Sequence, residues 1–241
     1  MKRILGILLL CSYLGLAAAE TALPFGAARL ENGDISFAGM VVRTTAGELA
    51  VPCRFVLTEG ALEVIVCRPD GRMHETLLCS EVRAVHVQAL LYLLGANNGS
   101  RLPGEGIRQG DLCDLWLEWQ DAQGKQLREP VEEWIIDTRT GQNLRPAGWV
   151  FVGSTVKDGV FTADAEGNIV INYSVGATVL DSPDPGSVDD TIHIVDAEKS
   201  RPPEGAAVTL VIKTRKNNPA GAATPSPGNG RANPDKERGT P

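Results

Sequence analysis

From Met40 to Thr214 the chain is mostly short runs of Val, Ile, Leu and Thr broken by glycine-bearing turns, a pattern of strands rather than helices. Four runs follow closely: Met40–Thr45, Glu48–Leu57, Ala61–Arg68 and Met73–Cys79. The turns between them are Ala46-Gly47, Thr58-Glu59-Gly60 and Pro69-Asp70-Gly71. Their residues accept fixed or left-handed backbone, so the spacing predicts an antiparallel meander. Further strands are expected at Leu112–Gln120, Trp149–Ser154, Asn168–Ser174 and Val208–Lys213. Pro52 lies inside the second run and lacks an N–H, which marks that strand as an edge or a bulged one.

One segment changes period. Val82, Val85, Ala89, Leu90, Leu93 and Leu94 are spaced as one face of a helix, and Ser80 can cap it. Glu81 suits the positive end of the helix dipole, and Gly95 can end the helix. The expected architecture is α+β: a β-rich antiparallel single domain, meander- or sandwich-like, around one buried helix near residues 81–94.

The two ends differ from this domain. Met1-Lys2-Arg3 precedes the short apolar run Ile4–Leu16 and the small residues Ala17–Ala19, the three-part layout of a secretory signal peptide. An uncleaved membrane anchor is the competing reading, and the bulky Leu10 argues against lipid attachment at Cys11. Residues 214–241 contain no apolar side chain larger than alanine and are rich in proline and glycine. Such a segment cannot bury enough surface to offset its ordering entropy, so a disordered tail is expected. The reading is therefore a signal peptide at 1–19, a domain at 20–213 and a tail at 214–241. Nothing after the leader is long and apolar enough to span a bilayer, so the mature chain is expected to have no transmembrane span and to be exported, to the periplasm or outside the cell.

The net charge of −7 understates the acidity of the domain, because Lys2, Arg3 and most tail charges are basic. An acidic domain repels phosphate backbones, which argues against a nucleic-acid partner. Cys53, Cys67, Cys79 and Cys113 remain after the leader and could form two disulfides in an oxidising compartment, by any of three connectivities; four buried free thiols are the other reading. They lack a C-x-x-C spacing, so neither a thioredoxin-type pair nor an iron–sulfur cluster is expected.

His74 and Glu75 stand between a turn and the helix. A zinc protease needs a second histidine four positions after the first on a helical face, and Leu78 is there instead, in an expected strand. A three-residue Pro69-Asp70-Gly71 loop would put Glu63, Cys67 and Glu75 on one face and His74 on the other. A two-residue loop would reverse this. His86 lies on an apolar helix face, where a core histidine satisfied by a carboxylate or carbonyl is the ordinary reading. The alternative is that His74, Glu75, His86, Glu63 and Cys67 converge on zinc or another divalent metal.

The loop Asp181–Asp190 holds Asp181, Asp184, Asp189 and Asp190, suitable oxygen ligands for calcium but without EF-hand spacing, so a solvated acidic loop is the competing reading. Trp116, Trp119, Trp134 and Trp149 could line a groove or fill a core. Alternation in Leu112–Gln120 groups Cys113, Leu115, Leu117 and Trp119 and leaves Trp116 as the more exposed ring. No nucleophile elbow or phosphate-binding glycine loop is present in the sequence.

The order of features resembles the YdjY domain family of bacterial proteins. The resemblance covers about residues 30 to 213 and rests on Leu62–Cys67, Gly71–Thr76, the helix His86–Gly95, the strand around Trp116, Trp134–Asp137 and Trp149–Ser154. It implies an exported domain of a functionally uncharacterised family, some of whose relatives are linked to ferredoxin-type cysteine clusters; this chain has no such cluster. The expected function is a non-catalytic binding or structural protein of the cell envelope with an unidentified partner. The alternative is a metal-binding or redox-associated protein using the His74, Glu75 and His86 region.

Overall fold

The computed structural model describes residues 21–22, 26–102, 107–199 and 202–215. The expected leader lies outside the described residues, as does the expected tail beyond Arg215. Thr214 and Arg215 belong to the domain: Thr214 ends a strand, and Arg215 donates its N–H to the Leu112 carbonyl and pairs with Asp114 at 2.6 Å.

Eight strands carry the architecture: β1 (Glu48–Phe55), β2 (Val64–Cys67), β3 (Thr76–Cys79), β4 (Leu112–Gln120), β5 (Trp149–Phe151), β6 (Asn168–Ile171), β7 (Leu180–Asp181) and β8 (Ala207–Thr214). Their hydrogen-bonded order is β1-β8-β4-β5-β7-β6-β2-β3, and β3 pairs back onto β1, closing an eight-stranded barrel. The closing register is short, with Arg54 opposite Cys79 and Phe55 opposite Leu78. The strands Ala28–Arg29, Ile35–Phe37 and Met40–Arg43 continue as an antiparallel extension from the first half of β1, and Gln126–Pro130 pairs with β4.

In β4, Cys113, Leu115, Leu117 and Trp119 are buried and alternate with partly exposed residues, as expected. Trp116, on the other face, lies under the Arg128 guanidinium, 4.5 Å from the ring centroid. Inside, Phe55 packs on Trp134 at 5.2 Å between ring centroids, and Trp134 on Trp119 at 5.3 Å. Each fully buried Leu or Phe in this core contributes about 1.5–3 kcal/mol relative to exposure. Trp119, Trp134 and Trp149 are core residues, so they form no exposed groove.

The β-rich, single-domain expectation holds in outline, but the four-run meander does not. Only Met40–Arg43 and β1 form a neighbouring antiparallel pair from that set. β2 and β3 pair in parallel, Val64 with Thr76, Val66 with Leu78 and Cys67 with Cys79, so neither hairpin register for Pro69-Asp70-Gly71 occurs. β2 has both edges occupied, by β6 and β3, and all four residues of each of β2 and β3 are buried. Strands buried on both faces lose the alternation that marks a half-exposed hairpin. The chain returns from β2 to β3 through a tightly wound outer loop. There Gly71 lies against Gly167, so close that a Cβ on Gly167 would stand 2.8 Å from the Gly71 Cα.

The helix α1 spans Ala84–Leu93, starting later than expected, and Ser80 does not cap it. The Ser80 hydroxyl instead donates to the Pro52 carbonyl at 2.7 Å, and the Ala84 N–H donates to Asp164 Oδ1 at 2.6 Å. Asp164 belongs to a second short helix, α2 (Thr162–Glu166), so α1 is capped from across the fold. At the other end, Gly95 at φ +85° allows the Ala96 N–H to reach the Leu91 carbonyl and the Gly95 N–H to reach that of Tyr92, a Schellman closure. The buried stripe is Ala84, Val87, Gln88, Leu90 and Leu91, while Ala89 and Leu93 are exposed, so α1 is half-buried with its face rotated from the expected one.

Removing the remote cap should loosen α1. Asp164→Ala is expected to lower unfolding free energy by about 1–2 kcal/mol in urea titrations, with Asp164→Asn recovering part of it. An unchanged midpoint for Asp164→Ala would contradict this capping assignment.

Candidate functional site

A second sheet outside the barrel builds a polar cluster in which a histidine meets two carboxylates. Its strand Ile135–Asp137 pairs antiparallel with Gln142–Asn143 on one edge and with His193–Val195 on the other, placing Asp137 directly opposite His193. The turn after Asp137 returns Arg139 over it: Arg139 Nε and Nη2 each donate to Asp137 at 2.8 Å, a bidentate pair. The loop after β7 brings in Asp184, whose Oδ2 accepts from Arg139 Nη2 and lies 3.1 Å from His193 Nε2. Asp184 is itself fixed by the Gly186 N–H at 2.8 Å. Gly186 also makes room for the guanidinium, since a Cβ there would stand 2.2 Å from Arg139 Nη1.

The ligand atoms of Asp137, Asp184 and His193 all lie within 4.8 Å of one another. Asp137, Arg139 and Asp184 line an open cavity of about 290 Å³ together with Thr140, Gln142, Asn143 and Arg145, while His193 is buried and not part of its lining. The Arg139 hydrogen bonds hold the Asp137 carboxyl below the usual carboxylate range, and the same pairing raises the Arg139 guanidinium. Burial pushes the His193 imidazole below its ordinary value, although Asp184 and Asp137 pull the other way. Arg139 thus supplies the cation that the two carboxylates require. Among the described residues, the side-chain hydrogen bond of His193 goes to Asp184, a carboxylate rather than a hydroxyl or thiol.

The five residues expected to converge do so only in part. Glu63 and Glu75 meet: burial raises the Glu63 carboxyl, neighbouring Glu75 adds to this, and Arg72 opposes it from 2.7 Å. His74 lies in the 3-10 turn Met73–Glu75, not in a strand, with its side chain largely exposed and 3.6 Å from Glu75. Cys67 faces Met73 instead of these carboxyls. His86, on half-buried α1, packs edge-on against Phe37 at 5.2 Å, and among the described residues its side chain makes no hydrogen bond, so it is neither a fifth member nor a carboxylate-satisfied core histidine.

The aspartates of the 181–190 loop diverge rather than surround a calcium position. Asp181 is fully buried, accepting from Ser174 Oγ at 2.8 Å and facing Arg108 at 3.3 Å. Asp184 joins Arg139, Asp189 accepts from the Thr191 hydroxyl at 2.6 Å, and Asp190 is exposed. Cys53, Cys67, Cys79 and Cys113 are free thiols, the alternative to the two disulfides that the sequence left open. Cys113 points into the core, whereas Cys67 packs in a separate small cluster outside it, so the sheet separates those two.

Sequence reasoning passed over His193, Asp137 and Arg139. Two signals were available: the alternating run Thr191-Ile-His-Ile-Val195, and the Asp137-Thr-Arg139 spacing, which lets an arginine fold back on its neighbour. Comparison with known proteins found no matching family model, no matching curated protein and no matching solved structure.

The buried imidazole sets a pH dependence. A base whose folded pKa lies below the unfolded one is protonated preferentially in the unfolded chain, so its contribution subtracts stability as pH falls below about 6.5. Lowering pH from about 7.5 to about 5.5 should therefore lower the urea midpoint more in wild type than in His193→Gln. His86, also lowered by burial, acts in the same direction, while Glu63 and Glu132, raised by burial, act oppositely, so the wild-type-minus-variant difference is the quantity to measure. Parallel midpoint curves would contradict the assignment.

Proposed function

We propose that this chain is an exported, non-catalytic binding domain of the cell envelope, and that it recognises its partner at the cavity beside Asp137, Arg139, Asp184 and His193. The observation that carries the reading is the internal neutralisation of the cluster: Arg139 bridges both carboxylates, and His193 is bonded to one of them. Asp137, Arg139 and Asp184 thus form a fixed set of donors and acceptors at a cavity rim, with the buried His193 holding Asp184, which suits recognition of a polar partner segment. A His–Asp pair working as a catalyst would instead hold a nucleophile on the imidazole.

Export is supported by the leader-like pattern of residues 1–19 and by the resemblance to the YdjY domain family. No helix among the described residues is long and apolar enough to cross a membrane. The acidic balance supports a partner other than nucleic acid.

A metal-binding reading is favoured by one observation, the convergence of Asp137, Asp184 and His193, and this set replaces the His74, Glu75 and His86 region as its basis. In the wild type Arg139 takes the cation's place. Calorimetry with manganese(II), a hard cation suited to carboxylate and imidazole ligands, separates the two readings. Wild type should show no binding at this cluster. Arg139→Ala should lose about 1–3 kcal/mol of stability through its unpaired carboxylates and gain manganese binding that His193→Ala removes. Stoichiometric wild-type uptake abolished by His193→Ala would replace the binding-domain reading with the metal one. The non-catalytic reading itself is tested on a panel of chromogenic ester, phosphate-ester, glycoside and peptide substrates. No turnover dependent on His193 or His74 is expected, and activity lost in either alanine variant would overturn it.

A further inference from the structure

The seam between β2 and β3 carries a group of soft ligands that the cavity does not use. Cys67 and Cys79 are direct partners in the parallel ladder, so their side chains project from the same face of neighbouring strands spaced about 4.8 Å apart. Cys67 packs with Val64, Ile171 and Met73 in a small cluster apart from the main core, which places its thiol on the barrel's outer wall, and the ladder pairing puts Cys79 on the same face. The third sulfur comes from the loop that joins the strands: Met73 Sδ lies 3.6 Å from Cys67 Sγ.

The surroundings are also suited to a soft cation. Cys67 is fully buried and Cys79 nearly so, while Met73 is half-exposed at the rim, so water is excluded from the thiols but an entry side remains. The loop is pressed onto the site, with a Gly71 Cβ position only 3.0 Å from the Cys67 Cβ. Arg54 is the partner of Cys79 across its other edge, hence on the same face, and among the described residues its side chain makes no ion pair.

We propose that Cys67, Cys79 and Met73 form a three-sulfur site for a single cuprous ion. Two thiolates and a thioether are the soft donors that select copper(I). Zinc in a structural site takes four ligands, and the exposed His74 is directed to Glu75 rather than to the sulfurs. On binding, both S–H bonds break, two Cu–S thiolate bonds form, and two protons leave to solvent, with no change of oxidation state. One cuprous charge against two thiolates leaves a single negative charge beside Arg54, whose guanidinium balances it.

The test is an anaerobic titration of the reduced full chain with copper(I) in competition with bicinchoninate. One copper per chain should be withdrawn from the chelator, with X-ray absorption showing a sulfur-only, three-coordinate environment. Cys67→Ser and Cys79→Ser should abolish this, and Met73→Leu, a conservative change at a half-exposed residue, should weaken it at least about tenfold. Cys113→Ser and Cys11→Ser should leave it unchanged. Circular dichroism of each variant checks folding, and the leucine variant keeps the test decisive if a serine variant fails to fold. Failure to compete with the chelator, binding unaffected by Met73→Leu, or conversion of Cys67 and Cys79 into a disulfide in place of copper uptake would each overturn the proposal.

Discussion

The closing pairing of β3 onto β1 is the constraint on which the rest of the fold depends. One edge of β1 serves two partners in succession: Met40–Arg43 along its first half, β3 along its last two residues. Pro52 sits at the changeover. A strand residue's N–H and C=O point to the same side, and the Pro52 carbonyl accepts the Ser80 hydroxyl at 2.7 Å. Its ring nitrogen therefore faces the point where the ladder has no partner to offer, so the missing N–H leaves no donor stranded. Open edges of β1 and β3 would instead present rows of unpaired backbone groups. Closure also buries Phe55 completely against Trp134, tying the seam to the core.

Two consequences follow for chemistry. Leu49, Val51, Phe55, Leu115, Leu117, Leu210 and Ile212 are among the residues that fill the core, so polar sites are left to the flanking sheet and the outer wall. The flanking sheet holds Asp137 opposite His193, and the outer wall holds Cys67 beside Cys79. In both places, backbone register fixes one pair of side chains, Asp137 with His193 and Cys67 with Cys79, and a loop adds the third group, Asp184 or Met73.

Much of the strand content was legible from apolar runs and turns, because half-exposed strands such as β4 alternate by burial. Topology was not. The uniformly apolar Val64–Cys67 run signals burial on both faces, yet the Pro69-Asp70-Gly71 turn satisfies a local hairpin rule that tertiary pairing overrides. Ser80 had the chemistry of a cap, but Asp164, 80 residues downstream of Ala84, occupies that role, and no local rule could reveal it. The candidate site was hidden for the same reason: Asp137, Asp184 and His193 are dispersed in sequence, whereas the crowded His74–Glu75 segment drew attention through proximity alone. Asp184 and Cys67 were singled out for other chemistry. Their actual partners, Arg139 and Met73, come from the surrounding structure.

The barrel seam is tested most directly by cross-strand nuclear Overhauser contacts in the labelled full chain. Parallel closure predicts backbone contacts between Val66 and Leu78 and between Cys67 and Cys79, together with contacts between Phe55 and Leu78 across the β1–β3 pairing. Backbone contacts joining Ile65 to Glu75 and Glu63 to Leu77 in an antiparallel hairpin ladder, with none between Phe55 and Leu78, would contradict it.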